Sequence, residues 1–76
     1  MAVIFDMGKV LKYYLHMKRK GKAGRRLEEA LQSFRIEEGI KKAEKIAREG
    51  NVFVVPCITG EERVVEIDGE VFVEVC

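Results

Sequence analysis

The chain is expected to fold as a single α+β domain, with helices in its first fifty residues and strands in its last twenty-six. Three observations carry that expectation. Apolar residues recur at spacings of three and four as far as Ala47, the period of a helix with one buried face. From Val52 onward β-branched and aromatic residues dominate and charged residues interrupt them, as in strands. Gly50-Asn51 marks the change. At 76 residues the chain has room for one hydrophobic core and no second domain.

Ala2 to Phe5 reads either as a backward extension of the first helix or as a short strand added to the sheet, and the strand is preferred. Asp6 then stands where an N-cap belongs. Met7, Val10, Leu11, Tyr14, Leu15 and Met17 follow at helical spacing, predicting a helix over Met7 to Lys20 that ends at Gly21. Leu27, Ala30, Leu31 and Phe34 form a second apolar stripe, and Ile36, Ile40, Ala43, Ile46 and Ala47 a third. Phe34 and Ile36 do not share one narrow helical face, so a break falls between Ser33 and Arg35, and Gly50 fits a C-terminal cap.

Val52 to Ile58, Arg63 to Ile67 and Glu70 to Val75 read as three strands of an antiparallel meander, with turns at 59–62 and Asp68-Gly69. A three-residue loop with a bulge at Gly69 would pair Val65 and Ile67 with Val73 and Val71. That register puts Val65, Ile67, Val71, Val73 and Val75 on one buried face and Glu66, Glu70 and Glu74 in solvent. The expected architecture is two or three N-terminal helices on one face of this three-stranded sheet, with a fourth short N-terminal strand as an option.

The net charge of +1 conceals a strong asymmetry. Residues 1–27 carry eight basic groups against Asp6 alone, residues 28–50 five against six acids, and residues 51–76 only Arg63 against six acids. The densest stretch, Lys18-Arg19-Lys20-Gly21-Lys22-Ala23-Gly24-Arg25-Arg26, holds six cations in nine residues. Three readings compete for it. The turn and the start of the second helix could bind phosphate, with Tyr13 and His16 as base contacts beside Lys18, Arg19, Lys20, Lys22, Arg25 and Arg26. The basic end could meet the acidic sheet of another copy, through Glu61, Glu62, Glu66, Glu70 and Glu74. Or the cations could form a solvated turn, with Tyr14 in the core.

Other chemistries find little support. Cys57 and Cys76 are too few for a secreted disulfide framework, and with the single His16 they give no metal-ligand spacing; Cys57 reads as a small buried hydrophobe. No metal, cofactor or small-molecule substrate is expected. No nucleophile pairs with a base, so the chain is expected not to be an enzyme. Ala2-Val3-Ile4-Phe5-Asp6-Met7-Gly8-Lys9-Val10-Leu11 resembles the first motif of haloacid dehalogenase-type hydrolases, which would make Asp6 a nucleophile. The resemblance spans ten residues and lacks that family's second aspartate, so Asp6 is read as a helix cap.

No apolar run approaches the roughly 18 residues of a membrane span, and the N-terminus has no basic leader, so a cytoplasmic location is expected. There are 27 charged residues but only one each of Ser33, Thr59, Asn51 and Gln32, a thermophile-like composition. A core this small leaves a monomer marginal, so a homodimer is expected. The working reading is a small non-enzymatic binding protein, with DNA or RNA as its first partner and a homo-oligomeric module as the alternative.

Overall fold

The computed structural model describes residues 2–47 and 50–76. In chain order the elements are β1 (Ala2–Ile4), α1 (Met7–Arg19), α2 (Leu27–Ser33), α3 (Ile36–Ile46), β2 (Asn51–Val55), β3 (Arg63–Ile67) and β4 (Glu70–Glu74). The α+β expectation, the helix breaks and the N-terminal strand are all present. Asp6 caps α1: its carboxylate accepts hydrogen bonds from the backbone N–H groups of Gly8 and Lys9 at 2.8 and 3.3 Å. That satisfies two donors the first helical turn leaves open.

The sheet differs from the expected meander. Its order is β1-β2-β4-β3; β1 pairs with β2 and β2 with β4 in parallel, and only β3 and β4 are antiparallel. β2 and β3, consecutive in sequence, are not neighbours. The physical reason lies in Val52–Val55, a continuous apolar run with no polar alternation. Such a run fits an inner parallel strand covered on both faces better than a meander strand with one wet face. Pro56, which has no N–H to give a ladder, follows β2 directly.

The hairpin register also differs from the expected pairing of Val65 and Ile67 with Val73 and Val71. Ile67 pairs with Glu70 and Val65 with Phe72 across a two-residue turn, in which Asp68 (φ 49°) and Gly69 (φ 78°) both adopt left-handed backbone. Two successive positive φ values give a turn whose twist matches that of the flanking strands, and the expected bulge at Gly69 is absent.

The helices cover both faces rather than one. Val10, Tyr13 and Met17 of α1 pack with Ala30, Val55, Ile58, Ile67 and Phe72. Ala43 of α3 and Ala47 pack with Val52, Val54, Val73 and Val75. Side chains alternate across a strand, so β4 sends Phe72 and Glu74 towards α1 and Val73 and Val75 towards α3. Val71, Val73 and Val75 therefore do not share a face with Val65 and Ile67. Close approach on the α3 side depends on Gly39, where an added Cβ would lie 2.5 Å from the Phe34 ring and 3.2 Å from Val75.

Candidate functional site

The basic segment connects α1 to α2 and is anchored beside the loop that follows β2. The Lys22 N–H donates to the Met17 carbonyl, and the Arg25 N–H donates to the Ile58 carbonyl at 3.0 Å. Gly21 (φ 70°) makes the left-handed step out of α1 that glycine takes without a steric penalty. Lys18, Arg19, Lys20, Lys22 and Arg26 are all exposed and Arg25 is half-buried. None of the first five appears in an ion pair among the described residues, whereas Lys9, Lys12, Arg35, Lys42 and Arg63 each face a carboxylate. The Arg25 guanidinium donates to the Ser33 hydroxyl at 3.3 Å.

The two aromatic base contacts expected from sequence separate. His16 is half-buried on α1 and lines a shallow groove with Leu11, Leu15 and Arg19. Tyr13 is fully buried and is removed from the interface. Its neighbour Tyr14 is half-buried, with the Lys18 Nζ 5.9 Å from its ring centroid. Val10, Tyr13 and Met17 are spaced by three and four, and that spacing was the signal for Tyr13; Tyr14 sits one residue round the helix from that stripe. A phosphate site on the amides of α2 finds no support either. That helix has seven residues, and Glu28 and Glu29 occupy its first turn, where they already complement the helix dipole.

Tyr13 points instead at a carboxylate expected in solvent. Glu74 is completely buried. The Tyr13 hydroxyl donates to Glu74 Oε1, the Thr59 N–H donates to Oε2 at 2.7 Å, and the Thr59 hydroxyl lies within 2.8 Å of both oxygens. A buried carboxylate is costly unless hydrogen bonds surround it, and here three donors from α1 and the loop after β2 converge on it. Burial, then the bond to Glu74, raises the Tyr13 hydroxyl well above the ordinary tyrosine range.

Of the other carboxylates expected to meet a second copy, Glu61, Glu62 and Glu70 have partners within the molecule and Glu66 is exposed. Glu70 is held by Lys9 and Lys12, Glu62 by Lys42 and Glu61 by Arg63. Hydrogen bonds from Lys12, then Lys9, hold the Glu70 carboxyl below its ordinary value, and the bond to Glu70 raises Lys12. Both shifts favour the ion pair at neutral pH. A lowered carboxyl contributes stability that is present above the ordinary glutamate range and lost as pH falls through its folded value. The raised Lys12 contributes stability present below the ordinary lysine range and lost as pH rises through its folded value. Glu70→Gln is therefore expected to flatten the acid limb of a stability–pH profile below about pH 4.5, read by urea midpoints; an unaltered limb would show that these pairs are screened out.

The cysteines, read from sequence as unpaired, are joined. Cys57, which follows Pro56 after β2, and Cys76, beyond β4, form a disulfide with their Cα atoms 4.6 Å apart. The parallel pairing of β2 with β4 puts these two strand ends side by side, which a meander would not. Cys57, Glu74 and Cys76 also form the one group among the described residues that gathers three metal-ligand side chains within 4.8 Å. The disulfide occupies both sulfurs. Comparison of the chain with family models, with curated proteins and with solved structures returned no match.

Proposed function

We propose that the protein is a small binding module that contacts nucleic-acid phosphates through the turn joining α1 and α2. The observation that carries this reading is the set of five exposed cations, Lys18, Arg19, Lys20, Lys22 and Arg26, without carboxylate partners among the described residues. Lys9, Lys12, Arg35, Lys42 and Arg63 are paired elsewhere, and a cluster of this density without carboxylate partners among the described residues suits a polyanion. Tyr14 and His16 flank it on α1 and supply ring faces for an unstacked base, with Tyr14 taking the place first given to Tyr13.

The test is fluorescence anisotropy with single- and double-stranded oligonucleotides across a salt series. Binding in the micromolar range or tighter at low salt is expected, with log K falling linearly in log salt. Replacing Lys20 and Lys22 by alanine removes two phosphate contacts, so the slope on duplex should fall by about 1.8. A slope that does not change takes these residues out of the interface, and no binding at low salt sinks the reading.

A homodimer is the second reading, supported by a different surface from the one first expected. Met7, Leu11 and Leu15 are exposed at spacings of four along α1, an apolar stripe left open by the described residues of a single copy. No helix among the described residues is long and apolar enough to cross a membrane. A thermophilic source and a cytoplasmic location are proposed from the composition, rich in charge and poor in Ser, Thr, Asn and Gln, with which an intracellular disulfide is compatible, since such links occur in hyperthermophiles.

A further inference from the structure

The Cys57–Cys76 disulfide forms part of the wall of a cleft. The cleft has a volume of about 330 Å³, and the disulfide shares its wall with Arg25, Ser33, Arg35, Glu38 and Lys42. The two residues are unequal: Cys57 is buried at 8% exposure and Cys76 is exposed. Arg35 pairs with Glu38 and Lys42 with Glu62, and the buried Glu74 carboxylate lies within 4.8 Å of both sulfurs; Arg25, bonded to the Ser33 hydroxyl, is the cation of the cleft wall without a carboxylate partner among the described residues. Lys42 reaches across to donate to the Cys76 backbone oxygen at 2.6 Å, which fixes one wall against the chain carrying the exposed sulfur.

We propose that this cleft is a thiol–disulfide exchange site for a small thiol bearing carboxylates. The Arg25 guanidinium, with the partly neutralised Arg35 and Lys42 behind it, draws in a carboxylate and favours the thiolate form of the incoming group. The thiolate attacks the Sγ of Cys76, the more exposed residue of the pair. A bond forms between it and Cys76, the Cys57–Cys76 bond breaks, and Cys57 leaves as a thiolate that takes its proton from solvent. A second thiolate attacks the sulfur of the bound thiol, closes an external disulfide and releases Cys76. Two thiols are oxidised, the protein disulfide gains two electrons, and the reverse sequence restores it. The direction of attack follows from access: the buried Cys57 is the leaving sulfur.

The experiment uses the oxidised full chain without denaturant. Glutathione, which carries two carboxylates, and cysteamine, which carries none and is cationic, are added at equal thiolate concentrations. Protein thiols are trapped with an alkylating agent and counted by mass. Glutathione is expected to open the disulfide about tenfold faster at low salt. The preference should shrink as salt rises and disappear in Arg25→Gln/Arg35→Gln. In a parallel assay with oxidised glutathione, Cys57→Ser, which keeps Cys76, should form the mixed disulfide faster than Cys76→Ser. Opening only in denaturant would make the disulfide a structural staple and overturn the proposal. Equal rates for the two thiols would overturn the assignment of the cleft, and faster reaction at Cys57 would overturn the direction of attack. The wild-type comparison alone decides the matter if a variant fails to fold.

Discussion

Replacing Glu74 by alanine is expected to cost about 3–5 kcal/mol of unfolding free energy, a large share of what a domain of this size has. The truncation leaves the Tyr13 hydroxyl and the Thr59 N–H facing a void between α1 and the sheet. An unmatched buried donor costs about 1–3 kcal/mol, and the missing side-chain volume adds to that. Graded substitutions separate the contributions. Glu74→Gln keeps the volume and one accepting oxygen but turns an N–H₂ group towards one of the donors, for a loss of about 1–3 kcal/mol. Tyr13→Phe removes a donor and leaves both Thr59 contacts in place, for about 1 kcal/mol. Urea unfolding of the three variants should rank them in that order. A Glu74→Ala loss under about 1 kcal/mol would mean that water replaces the carboxylate and that the network is not structural.

The second large effect concerns the disulfide. Cys57 and Cys76 are separated by 19 positions in the chain, and the link forbids the unfolded chain most of the conformations in which those ends are apart. For a loop of that size the chain-entropy model gives about 3 kcal/mol at 25 °C. In a domain this small, that corresponds to a drop in Tm of roughly 12–24 °C for Cys57→Ser/Cys76→Ser, read by thermal circular dichroism beside wild type with and without reductant. A drop of only a few degrees would show that the reduced ensemble already keeps the two strand ends together. A stable link and an exchangeable one are compatible, since the first concerns folding and the second the access of a thiol to one sulfur.

The helices were legible because their signal is local. Asp6 before a helical stripe and Gly21 after it place α1 to within a residue, and the clash of period between Phe34 and Ile36 places the break between α2 and α3; the cap expected at Gly50 is instead Ala47, where α3 ends. The sheet was less legible because strand order depends on which strands are covered on both faces. The sequence Glu70-Val-Phe-Val-Glu-Val read as a strand with a wet face, so Glu74 was sent to solvent; in the structure that face lies under α1, where Tyr13 and Thr59 satisfy it. Spacing alone did not carry that answer, because the donors come from residues 61 and 15 positions away. The cysteines were misread for the same reason. Their proximity follows from the parallel pairing of β2 and β4, and the charge map was right in sequence but overestimated how many carboxylates reach the surface.

The place of β4 has a kinetic meaning. It is the last strand along the chain, yet it sits inside the sheet between β2 and β3 and gives Phe72 to one core and Val73 and Val75 to the other. Until residues 70–75 arrive, β2 has β1 as its single neighbour, and the helices have only a two-stranded ribbon to cover. Such ribbons are marginal in water. The β1–β2 pairing joins residues 49 positions apart and the β2–β4 pairing residues 19 apart, so loop closure must come before most of the burial that rewards it. Assembly is therefore expected to be late and concerted during synthesis. The first fifty residues emerge as nascent, weakly held helices, and order sets in when the final strand slots between its two partners.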